Sequence, residues 1–293
     1  FPDVAAGSSA ELDIAFFNGT GDGNLNPFTI ATSGPVDHFA VGDVDGDLLP
    51  DLAFVESGAT AAAGQGIAIA WGRSGGPPTA ATVVGVFSGV VDVVTAGLGR
   101  GLRDLVVAFE PSSPAVGAVA FLLGSGDRQP LAPLRLPQST DSVPFVSFAG
   151  SFTGGAFPDV AALARSAVGE GEQPNALWLG RNAGPAQYQT PTRGPLFPPN
   201  VVPTVLFRGS LRNAVLAASG DIDGDGIDEA LVVSPQGRSD GLEGALLVCR
   251  ARGGGSLEVD TGATGRVPFP VSQEGKLLVA DVDGDGARDV VLV

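Results

Sequence analysis

One acidic pattern, repeated along the chain, constrains the fold more than any other feature of the sequence. Three segments align without gaps in the form D-x-D-x-D-x-x-x-D/E: GDVDGDLLPDLAFV at 42–55, GDIDGDGIDEALVV at 220–233 and ADVDGDGARDVVLV at 280–293. Two further segments keep the apolar tail but lack the acidic head, at 96–109 and 150–163. Self-similarity of this kind predicts one structural unit that is built several times over.

The spacing of the repeats favours the blades of a β-propeller. The closing acidic residue recurs at intervals of roughly 50 to 70 residues, which suits a four-stranded blade and is too long for a leucine-rich or ankyrin repeat. The longest interval holds a proline-rich stretch at 191–203, which we interpret as an insertion between strands. We therefore predict one all-β domain over 1–293, a β-propeller of about six four-stranded blades, or six or seven in a longer parent protein.

A longer parent is expected because FPDVAA at 1–6 repeats the sequence of 157–162, so that the chain begins inside a repeat. Within the second repeat, four apolar segments predict four strands, at 36–41, 51–55, 66–72 and 79–86. Segments 105–109 and 230–233 are apolar at consecutive positions, which predicts strands covered on both faces.

Composition agrees with an all-β fold and excludes several partners. The 293 residues include 44 glycines and 23 prolines, which interrupt helices and populate turns. The net charge of −16 comes without a basic stripe, which argues against nucleic acid and anionic membrane surfaces as partners. The one cysteine rules out an intrachain disulfide, and no apolar run reaches the roughly 20 residues that span a bilayer.

The acidic pattern has the chemistry of a calcium loop. Oxygen ligands at alternate positions of a tight loop can converge on one hard cation, a backbone carbonyl can add another oxygen, and a carboxylate eight residues after the first can close the shell. The sequence thus predicts about three Ca²⁺ ions. The predicted ligands, with the carbonyl donor fourth in each set, are Asp43, Asp45, Asp47, Leu49 and Asp51; Asp221, Asp223, Asp225, Ile227 and Glu229; and Asp281, Asp283, Asp285, Ala287 and Asp289.

Other interpretations of these loops are weaker. Several carboxylates and a carbonyl suit Ca²⁺ better than Mg²⁺, and zinc would call for His or Cys. A single Asp-Gly pair is most often a plain turn, but three loops in one register favour cation binding. EF-hand and dockerin loops begin with the same spacing and run into a helix, whereas LAFV, ALVV and VVLV predict strands.

The loop GDVDGDLLPDLAFV, with a hairpin such as FFNGTGDGNLNPF at 16–28, resembles the FG-GAP/VCBS repeat of integrin α-subunits and bacterial surface proteins. The resemblance covers nearly the whole chain. It implies that each Ca²⁺ loop joins the first and second strands of a blade at one face of the propeller. Leu48 replaces the usual glycine and Glu229 the usual closing aspartate. The segments 96–104 and 151–159 lack the acidic head, so no Ca²⁺ is expected there; Arg100 or Arg103 could supply positive charge, or simply be solvated.

Catalytic residues have little support in the sequence. His38 is the only histidine, and a strand-edge role is favoured over a general base. Cys249 lies in an apolar segment and is expected to be a buried hydrophobe rather than a nucleophile. Trp71 and Trp178 occupy similar positions in AIAWG and ALWLG, which indicates repeated packing more than a sugar-binding platform.

The leading functional hypothesis is an extracellular or cell-surface, non-enzymatic Ca²⁺-binding module that presents loops to a protein or glycan ligand, without inserting into a membrane. An alternative is a carbohydrate-active enzyme, similar to a polysaccharide lyase, on a Ca²⁺-binding propeller. A third possibility is a passive structural segment of a large surface protein. The sequence does not indicate the oligomeric state.

Overall fold

Every regular element that the structure describes is a β-strand. A computed structural model of the chain describes residues 4–7, 13–19, 24–60, 64–87, 89–98, 102–109, 119–122, 124, 126, 128, 134–135, 142–166, 176–180, 204–205, 216–235, 244–252, 256–260, 263, 265–267 and 275–292. In these ranges no helix is long and apolar enough to cross a membrane. The all-β prediction is confirmed for this part of the chain.

The chain divides into two compact units. The first comprises Phe1–Ser113 and Val119–Arg135, and the second comprises Pro114–Ala118 and Leu136–Val293. The sequence-based prediction of one domain over 1–293 stays a prediction.

The first unit contains three antiparallel sheets whose strands follow one another in chain order. Sheet I consists of β1 (Val4–Gly7), β2 (Asp13–Gly19) and β3 (Leu25–Ala31). Sheet II consists of β4 (Val36–Gly42), β5 (Asp51–Thr60), β6 (Gly64–Ala70) and β7 (Thr82–Phe87). Sheet III consists of β8 (Val90–Ala96), β9 (Asp104–Phe109), β10 (Val119–Leu122) and β11 (Leu134–Arg135). Sheet II confirms the four strands that the second repeat predicts.

The second unit repeats this arrangement. Sheet IV consists of β12 (Ser142–Gly150), β13 (Asp159–Ser166), β14 (Ala176–Gly180) and β15 (Thr204–Val205). Sheet V consists of β16 (Leu216–Gly220), β17 (Glu229–Pro235), β18 (Gly244–Arg252) and β19 (Ser256–Val259), with β20 (Gly265–Val267) also paired to β18. Sheet VI consists of β21 (Leu277–Ala280) and β22 (Asp289–Leu292). The proline-rich insertion at 191–203 lies outside the described residues.

Strands, not helices, follow the acidic loops. Asp51, Glu229 and Asp289 are the first residues of β5, β17 and β22. This agrees with the prediction from LAFV, ALVV and VVLV and removes the EF-hand alternative, which needs a helix at that position. Strand β9 is buried along its whole length, as its continuous apolar sequence predicts.

Neighbouring sheets within each unit pack face to face through apolar side chains. In the first unit, Ile14 of sheet I and Phe54 of sheet II belong to one buried cluster, and the rings of Phe87 and Phe109 join sheets II and III with centroids 5.3 Å apart. In the second unit, Leu163 of sheet IV packs with residues of sheet V, among them Cys249. Burial on both faces explains why the central strands are apolar at consecutive positions.

The first strands of successive sheets lie close enough for side chain to backbone hydrogen bonds. Thr95 Oγ1 on β8 donates to the carbonyl of Val41 on β4 at 2.6 Å. Ser219 Oγ on β16 donates in the same way to Ala149 on β12, also at 2.6 Å. At Gly42 an added Cβ would lie 2.9 Å from Thr95 Oγ1, so the approach requires glycine. The repeated contact brings the loops that follow the first strands into proximity.

Candidate metal centres

Three loops connect the first and second strands of sheets II, V and VI, the placement that the resemblance to the FG-GAP/VCBS repeat implies. We name them loop 1 (43–51), loop 2 (221–229) and loop 3 (281–289). In each, the first aspartate accepts backbone N–H groups from the residues three and five positions later, which curls the chain around its carboxylate. The distances are 2.6 and 3.0 Å at Asp43, 2.7 and 2.9 Å at Asp221, and 2.7 and 3.0 Å at Asp281.

In the second and third aspartates of each loop, one carboxylate oxygen accepts a backbone N–H, which orients the side chain. Their Oδ1 atoms accept the N–H two residues later, at 3.1 and 2.9 Å for Asp45 and Asp47 in loop 1. Loop 2 repeats these bonds at 3.2 and 2.8 Å, and loop 3 at 3.1 and 2.8 Å. The Oδ2 atoms are consequently the outer oxygens, which the loop backbone does not use.

The closing acidic residue of each loop holds the loop to the sheet. Its carboxylate accepts the N–H of the residue seven positions earlier, at 2.8 Å in loop 1, 3.0 Å in loop 2 and 2.9 Å in loop 3. The other oxygen of Asp51 accepts the N–H of Gly72, after β6, at 2.8 Å. Asp51 and Glu229 are almost completely buried, so these bonds offset a large desolvation cost.

The carboxylates of each loop converge. One oxygen from each of three residues lies within 4.8 Å of the others in the groups Asp43, Asp45 and Asp51; Asp221, Asp223 and Asp225; and Asp281, Asp283 and Asp285. Asp47, Glu229 and Asp289, which the sequence also predicts as ligands, are not in these groups. The carbonyl donors Leu49, Ile227 and Ala287 stay predictions, as does metal ligation by every residue named here.

The electrostatics of the loops reflect burial and backbone hydrogen bonds. Burial raises the pKa of Asp51 and of Glu229 above their ordinary values, in spite of the N–H groups that they accept. The N–H of Gly226 holds the pKa of Asp221 below its ordinary value. A bound divalent cation would favour the ionised form of all these carboxylates.

Leu48 gives loop 1 a strained backbone. Its φ is +68°, where Gly226 and Gly286 adopt +85° and +91° at the equivalent positions of loops 2 and 3. Leu48 is 88% exposed, so no packing compensates for the left-handed conformation.

The two reduced loops keep the closing aspartate. Asp104 and Asp159 are buried, and Asp104 Oδ1 accepts the N–H of Gly124 at 2.8 Å, as Asp51 accepts that of Gly72. Asp159 Oδ2 accepts the N–H and hydroxyl of Thr153 at 3.1 and 2.7 Å. Arg103 is exposed, whereas Arg100 lies outside the described residues.

Sequence reasoning missed two arginines at the acidic loops. Arg128, from the segment between β10 and β11, contacts Asp45 and Asp47 in loop 1. Arg250, on β18, pairs with Asp223 in loop 2 and with Asp260. Neither arginine is near these aspartates in sequence, so no local pattern pointed to them.

Loops 2 and 3 border a shared recess of about 560 Å³. Asp221 and Asp223 line it from loop 2 and Arg288 from loop 3. Asp228 lines it as well, while its Oδ2 accepts the N–H of Ser151 at 2.6 Å. The recess therefore combines carboxylates with one guanidinium, a polar surface rather than an apolar one.

The remaining candidates do not assemble a catalytic site within the described residues. His38 lies on β4. Cys249 is buried in the core, and burial raises its pKa to about 12, so its thiol is inert at neutral pH. Trp71 is buried directly after β6. Trp178 lies on β14.

Comparison with known proteins leaves the family open. No family model matches the chain, and no curated protein matches it. Among solved structures, the chain is similar to a Cellvibrio cellulosa α-L-arabinanase complexed with arabinohexaose, at 14% identity and a TM-score of 0.43, over 89% of this chain and 95% of that one. It is also similar to the Bacillus licheniformis rhamnogalacturonan lyase PL11, at 11% identity and a TM-score of 0.42, over 97% of this chain and 64% of that one.

The names of both proteins refer to glycans, the substrate class of the carbohydrate-active enzyme that the sequence analysis gives as an alternative. At these values the likeness carries no activity over to this chain.

Proposed function

We propose that the chain is a Ca²⁺-stabilised β-propeller module of the FG-GAP/VCBS type, which presents loops to a protein or glycan ligand outside the cell without catalysing a reaction. One observation carries this proposal: in each of three similar loops, oxygens from three aspartates lie within 4.8 Å of one another. Within each unit, antiparallel sheets that pack through apolar side chains and are joined by hydrogen bonds between first strands support the propeller.

The donor set favours Ca²⁺. Each cluster consists of aspartates alone, and hard oxygen donors on a flexible loop suit the six to eight ligands that Ca²⁺ takes. Extracellular modules commonly bind Ca²⁺ with a Kd of about 10⁻⁴ to 10⁻³ M, an affinity that suits the Ca²⁺ concentration outside the cell rather than that of the cytosol.

The cation would serve the fold. An ion that binds only the folded state adds about 2.7 kcal/mol to stability at a hundredfold excess over its Kd. It would also lower the repulsion among carboxylates in a chain of net charge −16. Rigid loops around the recess between loops 2 and 3 would then be available to a partner.

Calorimetry and thermal unfolding test cation binding. We expect about three Ca²⁺ per chain, a melting temperature that rises with Ca²⁺ and falls with chelator, and a much smaller response to Mg²⁺. Loop 3 variant D281N/D283N/D285N should lose one ion. Variant D13N, which removes an exposed carboxylate on β2, should lose none. A chain that takes up no Ca²⁺ and ignores chelator contradicts the proposal.

A ligand screen tests the binding role. We expect Ca²⁺-dependent capture of a protein or a polysaccharide, weakened by R288A because Arg288 lines the recess. Release of unsaturated or reducing sugar ends from a polysaccharide would instead establish the carbohydrate-active alternative. If no Ca²⁺-dependent ligand is found, the hypothesis of a passive structural segment of a surface protein would be favoured.

A further inference from the structure

The three acidic loops differ in how many of their outer carboxylate oxygens are held by arginine. The outer oxygens are Oδ2 of the second and third aspartate in each loop. In loop 1 both contact Arg128, in loop 2 one contacts Arg250, and in loop 3 no described residue donates to either. The backbone bonds of the three loops are similar, and the arginine contacts are the difference among the loops that acts directly on these carboxylate oxygens.

Arg128 binds loop 1 with two nitrogens. Its Nε lies 2.5 Å from Asp45 Oδ2 and its Nη2 lies 3.0 Å from Asp47 Oδ2. The Asp45 side chain is only 3% exposed, so its charge is poorly solvated and gains from a neighbouring cation. The guanidinium carbon also lies 5.5 Å from the centre of the Trp71 ring, which adds a cation–π contact.

Arg250 binds loop 2 less completely. Its Nη1 contacts Asp223 Oδ2, while its Nε lies 3.2 Å from Asp260 Oδ2 and 3.7 Å from Glu229 Oε1. Asp260 is outside loop 2, so part of the arginine's interaction is independent of the loop. The third aspartate, Asp225, has no described donor at its Oδ2.

We propose that Arg128 and Arg250 are internal competitors of Ca²⁺, which rank the three loops in the affinity order loop 3, loop 2, loop 1. This proposal rests on the proposed Ca²⁺ binding. A cation needs the outer oxygens in addition to those that the backbone orients, since Ca²⁺ takes six to eight oxygen ligands. It must therefore displace the guanidinium from loop 1 and partly from loop 2, whereas at loop 3 it meets no such competitor among the residues that the structure describes.

The effect of removing each arginine has a distinct signature. Without Ca²⁺, R128Q should lower the melting temperature, because loop 1 loses its neutralising partner. With Ca²⁺, the same variant should bind more tightly at loop 1, by about tenfold, since charge-assisted hydrogen bonds no longer have to be broken. R250Q should raise affinity at loop 2 by about threefold. If an arginine only supported the loop, its removal would lower both the melting temperature without Ca²⁺ and the Ca²⁺ affinity.

The sites are separated by working in a full chain in which loops 2 and 3 carry D223N/D225N and D283N/D285N. Calorimetry then reports loop 1 alone. R128K separates charge from geometry, because lysine keeps the charge but cannot form the two-nitrogen contact. We expect R128K to fall between the parent and R128Q. K276Q removes an exposed positive charge directly before β21 and should match the parent.

Trp71 supplies a second measurement. With W178F the chain has a single tryptophan, and Ca²⁺ at loop 1 should change its fluorescence as the guanidinium leaves the ring; R128Q should abolish that change. Equal Ca²⁺ affinities for parent, R128Q and K276Q would overturn the competition while leaving Ca²⁺ binding intact. No Ca²⁺ uptake by any variant would overturn both it and the proposed function.

Discussion

Loop 1 and the reduced loop at 151–159 begin and end alike but differ in charge. Each buries its second residue, Val44 or Phe152, and turns at a glycine of positive φ, 81° at Gly46 and 63° at Gly154. Each closes on a buried aspartate that accepts an N–H from the start of the loop. Where loop 1 has its three leading aspartates, the reduced loop has Ser151, Thr153 and Gly155.

The comparison separates two roles of the acidic residues: the closing carboxylate holds the loop to the sheet, and the leading aspartates supply negative charge. The closing carboxylate persists without the acidic head, so it serves the fold by joining loop and strands. The leading aspartates are dispensable for the turn itself, so their charge calls for another explanation, and a bound cation provides one.

The largest effect that tests this separation is expected for D51A. The change leaves the buried N–H groups of Val44 and Gly72 without the carboxylate and removes a member of the loop 1 cluster. We expect a loss of about 3 kcal/mol in the free energy of unfolding. Urea unfolding should show a greater loss with Ca²⁺ than with chelator. An equal loss in both conditions would mean that Asp51 serves the fold alone.

The next effect is expected for D104A in the other reduced loop. Asp104 is completely buried and accepts the N–H of Gly124, so its removal should cost about 2 kcal/mol. The loss should be the same with Ca²⁺ and with chelator, measured by urea unfolding as for D51A. A Ca²⁺-dependent loss would show that the reduced loop binds cation after all.

A smaller effect, of opposite sign, is expected for L48G. Glycine relieves the positive φ of a highly exposed leucine, so the variant should gain about 1 kcal/mol in thermal unfolding. L48A is the matched control, because alanine keeps the strain and should show no gain. If both variants behave alike, the backbone at residue 48 is not strained.

The smallest stability change is expected when the acidic head is restored to the reduced loop. The variant S151D/T153D/G155D places carboxylates at the positions of Asp43, Asp45 and Asp47. With chelator it should be slightly less stable than the parent, because the new charges repel one another. Calorimetry should show one additional Ca²⁺ per chain. Unchanged stoichiometry would show that carboxylate spacing alone does not create the site.

Much of the fold follows from local sequence. The repeat register placed strands directly after Asp51, Glu229 and Asp289, and the continuous apolar runs anticipated β9, which is buried on both faces. The aspartates of each loop could be identified because they lie within nine residues of one another, a distance over which backbone geometry decides convergence.

The sequence by itself determined the strands, the turns and the carboxylates of the acidic loops. Only the tertiary structure decided which cationic side chains meet those loops, because Arg128 lies 83 residues after Asp45 and Arg250 lies 27 after Asp223. It also decided that Asp51 accepts the N–H of Gly72, in the segment that follows β6. Such pairs depend on how sheets and strands pack, and a spacing pattern within one loop carries no information about that packing.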